Sequence, residues 1–403
     1  MFTRRSFLHA SALTVGALGL APSWLLRAAA QARESRKILV AIFQRGAADG
    51  LNIVVPFSEP RYYEVRPGIG VAQPGKPNGG LDLDGRFAFN PVLQPLKPLW
   101  DTGQLAVVHA AGSPDSSRSH FDAQDYMECG SPGIKTEDGW LNRALPPDAA
   151  GGSPVRAIAA SGAQLPRTLR GSRSAVAVDN LARFQVSDKN TAELLERLYS
   201  TTADAEISSH GKATFDAVRM IESIQRRPYT PANGAQYGPS GEFGQRLQQI
   251  ARLIKADAGV EVAFADVGGW DHHGNENGQL PNLLRQFSTA LAAFARDMGD
   301  RMEDIVLVTM SEFGRTVAEN GNLGTDHGHG NVMMVLGGAV KGGKVYGDWP
   351  GLAPEQLFEK RDLAVTTDFR DVLGELVRTH LGQDPTKVFP GYEPQKTLGL
   401  LRA

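Results

Sequence analysis

A single cysteine, Cys129, in a chain of 403 residues excludes any intrachain disulfide. An excess of either charge is also missing, with 42 Lys+Arg against 44 Asp+Glu, so no basic stripe of the kind that grips nucleic acid is expected. Internal repeats and low-complexity tracts are absent, and the hydrophobic (41%) and charged (21%) fractions are ordinary for a globular protein. Disorder, collagen and coiled coil are therefore excluded. The length suffices for one large core or two medium ones. What the chain has in quantity is glycine (45) and proline (24), the mark of many tight loops on a rigid scaffold.

The first residues read as an address. Arg4-Arg5 stands before a mildly apolar stretch from Ala10 to Leu26, and Ala30-Gln31-Ala32 is a small-x-small cleavage site. Pro22 and several glycine, serine and threonine residues make the stretch too weakly apolar for a stable membrane anchor. The pattern resembles a twin-arginine (Tat) signal, with His9 where lysine is more usual. The resemblance implies export in the folded state, the Tat translocase as a transient partner and a periplasmic mature protein. Cleavage after Ala32 removes three arginines and no acid, taking the formal charge from −2 to −5. Residues 33–403 are expected to form one domain.

Short apolar runs alternate with helical patterns, which predicts an α/β sheet covered by helices. Strands are expected at Ile38–Phe43, Leu105–Ala110, Val155–Ala160, Val260–Ala265, Ile305–Met310 and Val332–Leu336. Helical spacing of apolar residues marks 282–296 and 368–380, and 188–258 reads as a largely helical insertion.

Polar clusters gather where strands end, the usual place for chemistry in such sheets. Asp49 follows the first strand, in a setting where an aspartate beside glycine is commonly a turn residue. Ser116-Ser117-Arg118-Ser119-His120 precedes a helical run, so a serine there is first of all an N-cap; the functional alternative is an anion site at a helix end. In Trp270-Asp271-His272-His273, residues two apart face one side of an extended loop, so Asp271 and His273 can converge on one cation while His272 points away. Carboxylate with imidazole suits zinc or manganese rather than calcium. Glu312 and Arg315 follow the strand ending at Met310, and Asp326, His327 and His329 precede the next strand; Glu312 and that Asp-His-x-His loop supply four more candidate ligands. Five of the nine histidines lie in these loops, a concentration that a divalent metal site explains. His109 reads as a core histidine, His380 as a helix-end cation, His210 as part of a polar helix, and Cys129 as a buried or capping thiol.

Several motifs together resemble the bacterial family catalogued as domain of unknown function 1501. They are Arg45-Gly46 with Asp49-Gly50-Leu51-Asn52, Arg118-Ser119-His120-Phe121, Gly269-Trp270-Asp271 with His273, Ser311-Glu312-Phe313-Gly314-Arg315-Thr316, and Gly324-Thr325-Asp326-His327-Gly328. That family resembles the alkaline phosphatase and sulfatase superfamily. The resemblance implies a three-layer α/β/α sandwich, with metal ligands at Asp49, Asp271, His273 and His327 or His329, and Glu312 in the place of an aspartate. It makes Ser119, then Ser117, the matching nucleophile, in a catalytic group with Arg118, His120 and Arg315. Phe313 departs from the pattern, standing where a second ligand is expected. The implied activity is hydrolysis of a small anionic phosphate or sulfate ester; the rival is a non-catalytic metal or anion binder serving an exported complex.

Overall fold

The computed structural model describes residues 37–147, 152–184, 188–202 and 204–402. The twin-arginine segment lies outside the described residues. Among those described, no helix is long and apolar enough to cross a membrane.

Strand β1 (Ile38–Gln44) is buried at every position. It can be apolar at six consecutive residues because both its faces are covered: Ile38, Val40 and Ile42 enter one hydrophobic cluster, and Leu39, Ala41 and Phe43 the other. Eight further strands complete the sheet: β2 (Leu105–Gly112), β3 (Ala157–Ala160), β4 (Val176–Ala177), β5 (Val262–Val267), β6 (Ile305–Met310), β7 (Asn331–Gly337), β8 (Val345–Tyr346) and β9 (Thr367–Asp368). The order is β8-β2-β7-β6-β1-β5-β3-β4, with β9 also paired to β2. Only β7 is reversed, running antiparallel to β2 and β6. Because of that reversal, the start of β7 shares an edge with the ends of β1, β2, β5 and β6. The loops that meet there are the polar ones.

Two strands start later than the apolar runs suggest, at Ala157 and Val262 rather than Val155 and Val260. The Arg156 carbonyl accepts from both Glu261 and Val262 N–H, and the regular ladder begins only past that point.

Helices cover both faces. Helix α1 (His120–Cys129) starts at Ser119 and ends at Gly130, whose φ of 69° is the left-handed turn that favours glycine. Helices α2 (Lys189–Thr201), α3 (Ala205–Gln225) and α4 (Gly241–Lys255) occupy the predicted helical stretch. It is less an insertion than expected, since Leu247, Ile250 and Leu253 of α4 and Met220, Ile221 and Ile224 of α3 pack into the sheet's own cluster. Helix α5 (Glu276–Met298) buries Leu284, Phe287, Leu291 and Phe294, each contributing about 2 kcal/mol. On the opposite face, α6 (Phe369–Thr379) buries Phe369, Val372, Leu373, Leu376 and Val377. The result is a three-layer α/β/α sandwich.

Two bland histidine readings now separate. His109 is a core histidine, with Nε2 on the Val54 carbonyl at 2.9 Å and Nδ1 accepting from Ala110 N–H. Burial pushes its pKa down to about 4. His380 is not the helix-end cation expected: it is buried against the Ile38 carbonyl, and burial likewise takes its pKa to about 4, outweighing the helix dipole. The Cys129 thiol is buried and donates to the Thr136 carbonyl.

Candidate metal centre

At the shared sheet edge, His120, Asp271 and His327 place their ligand atoms within 4.8 Å of one another. His120 Nε2 lies 2.9 Å from His327 Nε2, and Asp271 is 3.4 Å from the first and 3.3 Å from the second. Donors 2.0–2.1 Å from a tetrahedral zinc ion lie about 3.3 Å apart, so these spacings suit a single ion. His273 Nε2 joins from one side, 3.0 Å from both Asp271 Oδ1 and His327 Nε2.

The far side of each ring settles what the near side offers. His327 Nδ1 faces the Arg118 carbonyl at 2.9 Å, so it carries the proton. His120 Nδ1 faces Glu312 Oε1 at 2.8 Å, and His273 Nδ1 faces Asp326 Oδ1 at 3.1 Å. In their neutral forms all three rings therefore turn an Nε2 lone pair toward the same region. That is the arrangement by which carboxylates and carbonyls orient histidine ligands, and it suits zinc or manganese.

Glu312 thus meets the outer nitrogen of His120 rather than the facing Nε2 atoms. Its Oε1 also accepts from Gly46 N–H at 2.8 Å and Gln124 at 2.9 Å, and Ser311 Oγ donates to Oε2 at 3.0 Å. Burial pushes its pKa up, yet the bonds from His120, Gln124 and backbone hold it below the usual range. The Glu312 bond is also the largest cause raising the pKa of His120, helped by the charges of Glu312 and Asp271 against burial and Arg315. In His327, burial dominates and lowers the pKa. Asp326 likewise meets His273 Nδ1, and that bond holds its carboxyl low.

The backbone at Gly46 makes the convergence possible. Its φ is 116°, and a Cβ there would stand 2.8 Å from Asp271 N, so only glycine lets the β1 and β5 loops touch. Arg315, buried, ties these loops together by donating to the carbonyls of Gly46, Ala47 and Thr325 and to Asp271. Burial works against the Asp271 charge, but the Arg315 bond and charge hold its pKa low. Arg315 spends its donors on protein, and Arg118 does the same on Asp362 and Glu359.

Asp49 and His329 supply no atom to the group of His120, Asp271 and His327, while Ser119 directly precedes His120. Asp49 gives both carboxylate oxygens to Arg66, at 2.6 and 3.1 Å, in a buried pair that the sequence did not announce. Burial opposes its charge, but Arg66 holds the carboxyl below the usual range. Nearby Glu276 is pushed well up by burial and by Asp49. His329 stacks on Phe358 with ring centroids 4.3 Å apart. The Ser119 hydroxyl caps α1, accepting from Asp122 N–H at 3.4 Å. His272 is buried and supplies no atom to the cluster. Phe313, instead of a ligand, supplies a wall, its ring 5.1 Å from the rings of both His120 and His327.

Comparison with known proteins gives a family and distant structural likenesses. The profile of a family described as "Protein of unknown function (DUF1501)" matches residues 100–387. No curated protein matches. Among solved structures, the chain is similar to the lipoteichoic acid synthase LtaP from Listeria monocytogenes, at 9% identity and a TM-score of 0.33. That match covers 76% of this chain and 66% of the synthase, just under two thirds. It is also similar to the PsFucS1 sulfatase from Pseudoalteromonas sp., at 10% identity and a TM-score of 0.38, over 94% of this chain and 74% of that one. An alkaline phosphatase from the Antarctic bacterium TAB5 matches at 10% identity and a TM-score of 0.29, over 75% of this chain and 90% of the phosphatase.

Proposed function

The chain belongs to the DUF1501 family, and we propose that it is an exported metal-dependent hydrolase of phosphate or sulfate esters. One observation carries the reading: the Nε2 atoms of His120 and His327 face each other at 2.9 Å with an Asp271 oxygen beside them, each ring's proton committed elsewhere. His120, Asp271 and His327 would hold the ion, with His273 Nε2 beside them, and histidine with carboxylate is a donor set that catalytic zinc uses. A bound zinc or manganese ion supplies Lewis acidity and lowers the pKa of the attacking oxygen. Ser119, immediately before His120 at the start of α1, offers the hydroxyl. His273, oriented by Asp326, offers Nε2 as the proton carrier. Phe313 keeps water from the inner side of the two ligand rings.

The test is turnover of 4-nitrophenyl phosphate and 4-nitrophenyl sulfate by zinc- and manganese-loaded protein. Ser119→Ala should abolish turnover and keep the metal, whereas His120→Ala should lose both. Turnover unchanged in His120→Ala would exclude this site.

A second reading, a non-catalytic metal or anion binder, draws support from the capping bond of Ser119 and from Arg118 and Arg315 being committed to protein groups. Full metal occupancy with no turnover of any ester in a broad aryl panel favours it. Export is tested separately: Arg4→Lys with Arg5→Lys should strand the precursor in the cytoplasm, and normal export of that variant would exclude the Tat route.

A further inference from the structure

The loops that carry His120 and His327 hang on one buried carboxylate. Asp362 lies between β8 and β9, with its side chain fully buried. Its Oδ2 accepts from Arg118 Nε at 3.1 Å and Nη2 at 2.6 Å, and from Arg361 Nη2 at 3.1 Å. Its Oδ1 accepts from Arg361 Nε at 2.8 Å. Each of those arginines in turn holds His327. The Arg118 carbonyl faces His327 Nδ1 at 2.9 Å, and Arg361 Nη2 donates to the His327 carbonyl at 2.8 Å. Arg118 also stands two residues before His120, so its grip on Asp362 docks the start of α1 as well.

The carboxylate is itself held in place. Asp362 N–H donates to the Phe358 carbonyl at 3.0 Å, and the Asp362 carbonyl accepts from Phe358 N–H at 2.9 Å. Asp362 forms a backbone bridge with Thr316, and Arg315 forms one with His327. The Leu363 carbonyl accepts from Gly330 N–H at 2.8 Å. Backbone bonds thus join the Asp362 segment to the loop that carries His327. The contrast is Asp49 with Arg66, also buried, whose guanidinium goes on to the carbonyls of Thr316 and Val317 instead. Glu359, the other acid on Arg118, is exposed, and an exposed pair fixes little.

We propose that Asp362 is a positioning residue of the metal centre: through Arg118 and Arg361 it fixes His120 relative to His327, and so the spacing of their Nε2 atoms. As a determinant of metal affinity it rests on the reading of His120, Asp271 and His327 as ligands; as the anchor that locks the His327 ring it does not.

Zinc titration of the metal-stripped full chain by calorimetry tests the role. Asp362→Asn should bind zinc about 10- to 100-fold more weakly, the usual cost of losing an outer support of a ligand. Asp49→Asn, which breaks a buried carboxylate–guanidinium pair elsewhere, should keep the wild-type affinity, as a merely structural role would also predict for Asp362→Asn. Arg118→Gln covers the case in which Asp362→Asn does not fold, because it leaves Asp362 paired with Arg361. It should bind zinc about tenfold more weakly. Loss of a nearby cation would by charge alone favour zinc, so weaker binding reports position. Wild-type zinc affinity in folded Asp362→Asn or in Arg118→Gln overturns the proposal. A second readout needs no metal. In metal-stripped protein labelled with 15N-histidine, His327 should give the signals of one tautomer, protonated at Nδ1, and Arg118→Gln should mix the two. An unmixed His327 in that variant overturns the proposal. Mixing in the variant, with a wild type that binds no zinc, upholds the anchor and sinks the metal reading alone.

Discussion

His120 Nε2 and His327 Nε2 lie 2.9 Å apart, while the opposite nitrogen of each ring is tied to an acceptor, Glu312 for one and the Arg118 carbonyl for the other. Two neutral rings so anchored direct lone pairs at each other, which is repulsive unless a proton or a cation lies between them. The centre is therefore built for a positive charge, and its supporting residues are as informative as its ligands.

Glu312 is the first of these supports. Glu312→Gln keeps the shape but removes the charge that fixes the His120 proton on Nδ1. Metal affinity should fall about 10- to 100-fold, the usual cost of losing an orienting carboxylate. Competition with a metallochromic chelator measures it. An unchanged affinity would show that His120 is not a ligand.

Asp49 makes the opposite prediction. With both oxygens on Arg66 in a buried pair, it is expected to contribute to stability and not to metal binding. Asp49→Asn should cost about 3–5 kcal/mol, because it strands the buried Arg66 charge, and should leave metal stoichiometry unchanged. Adding Arg66→Met should recover part of the loss. Urea unfolding with metal analysis of the folded protein distinguishes the outcomes; metal loss in folded Asp49→Asn would return Asp49 to the ligand set.

The buried histidines predict an acid limb. His109 and His380 have folded pKa values of about 4, below the ordinary 6.5, so the unfolded chain binds protons that the folded one refuses. Stability contributed above pH 6.5 is lost as pH falls toward 4, by about 3 kcal/mol per histidine. His380→Gln should flatten that limb of a stability–pH curve. An identical slope in the variant would contradict the burial argument.

The scaffold was legible in the sequence because its strands are buried on both faces. Runs such as Ile38–Phe43 and, but for Thr309, Ile305–Met310 are apolar throughout, and β1 and β6 fall where the runs do. The polar loops were legible for a related reason: aspartate and histidine crowded at strand ends have no role in the core. Which of them touch was hidden, since that depends on the reversed β7 and on contacts between loops far apart in sequence. The chemistry of each side chain was thus visible and its partner was not. His120, expected in catalysis, lies with Asp271 and His327, whereas Glu312 and Asp326, expected as ligands, face the Nδ1 atoms of His120 and His273. Gln124 carried a readable signal, four residues after His120 on the same helix face. Arg66 carried none; nothing in its neighbourhood tells that it neutralises Asp49.

The most direct measurement is a zinc titration of metal-stripped protein by calorimetry, alongside the variants His120→Ala, His327→Ala and His329→Ala. The geometry predicts about one tight equivalent, as a three-ligand site requires, lost in the first two variants and retained in His329→Ala, whose ring stacks on Phe358 away from the centre. Two tight equivalents in the wild-type protein, or full binding by His120→Ala and His327→Ala, would contradict the account.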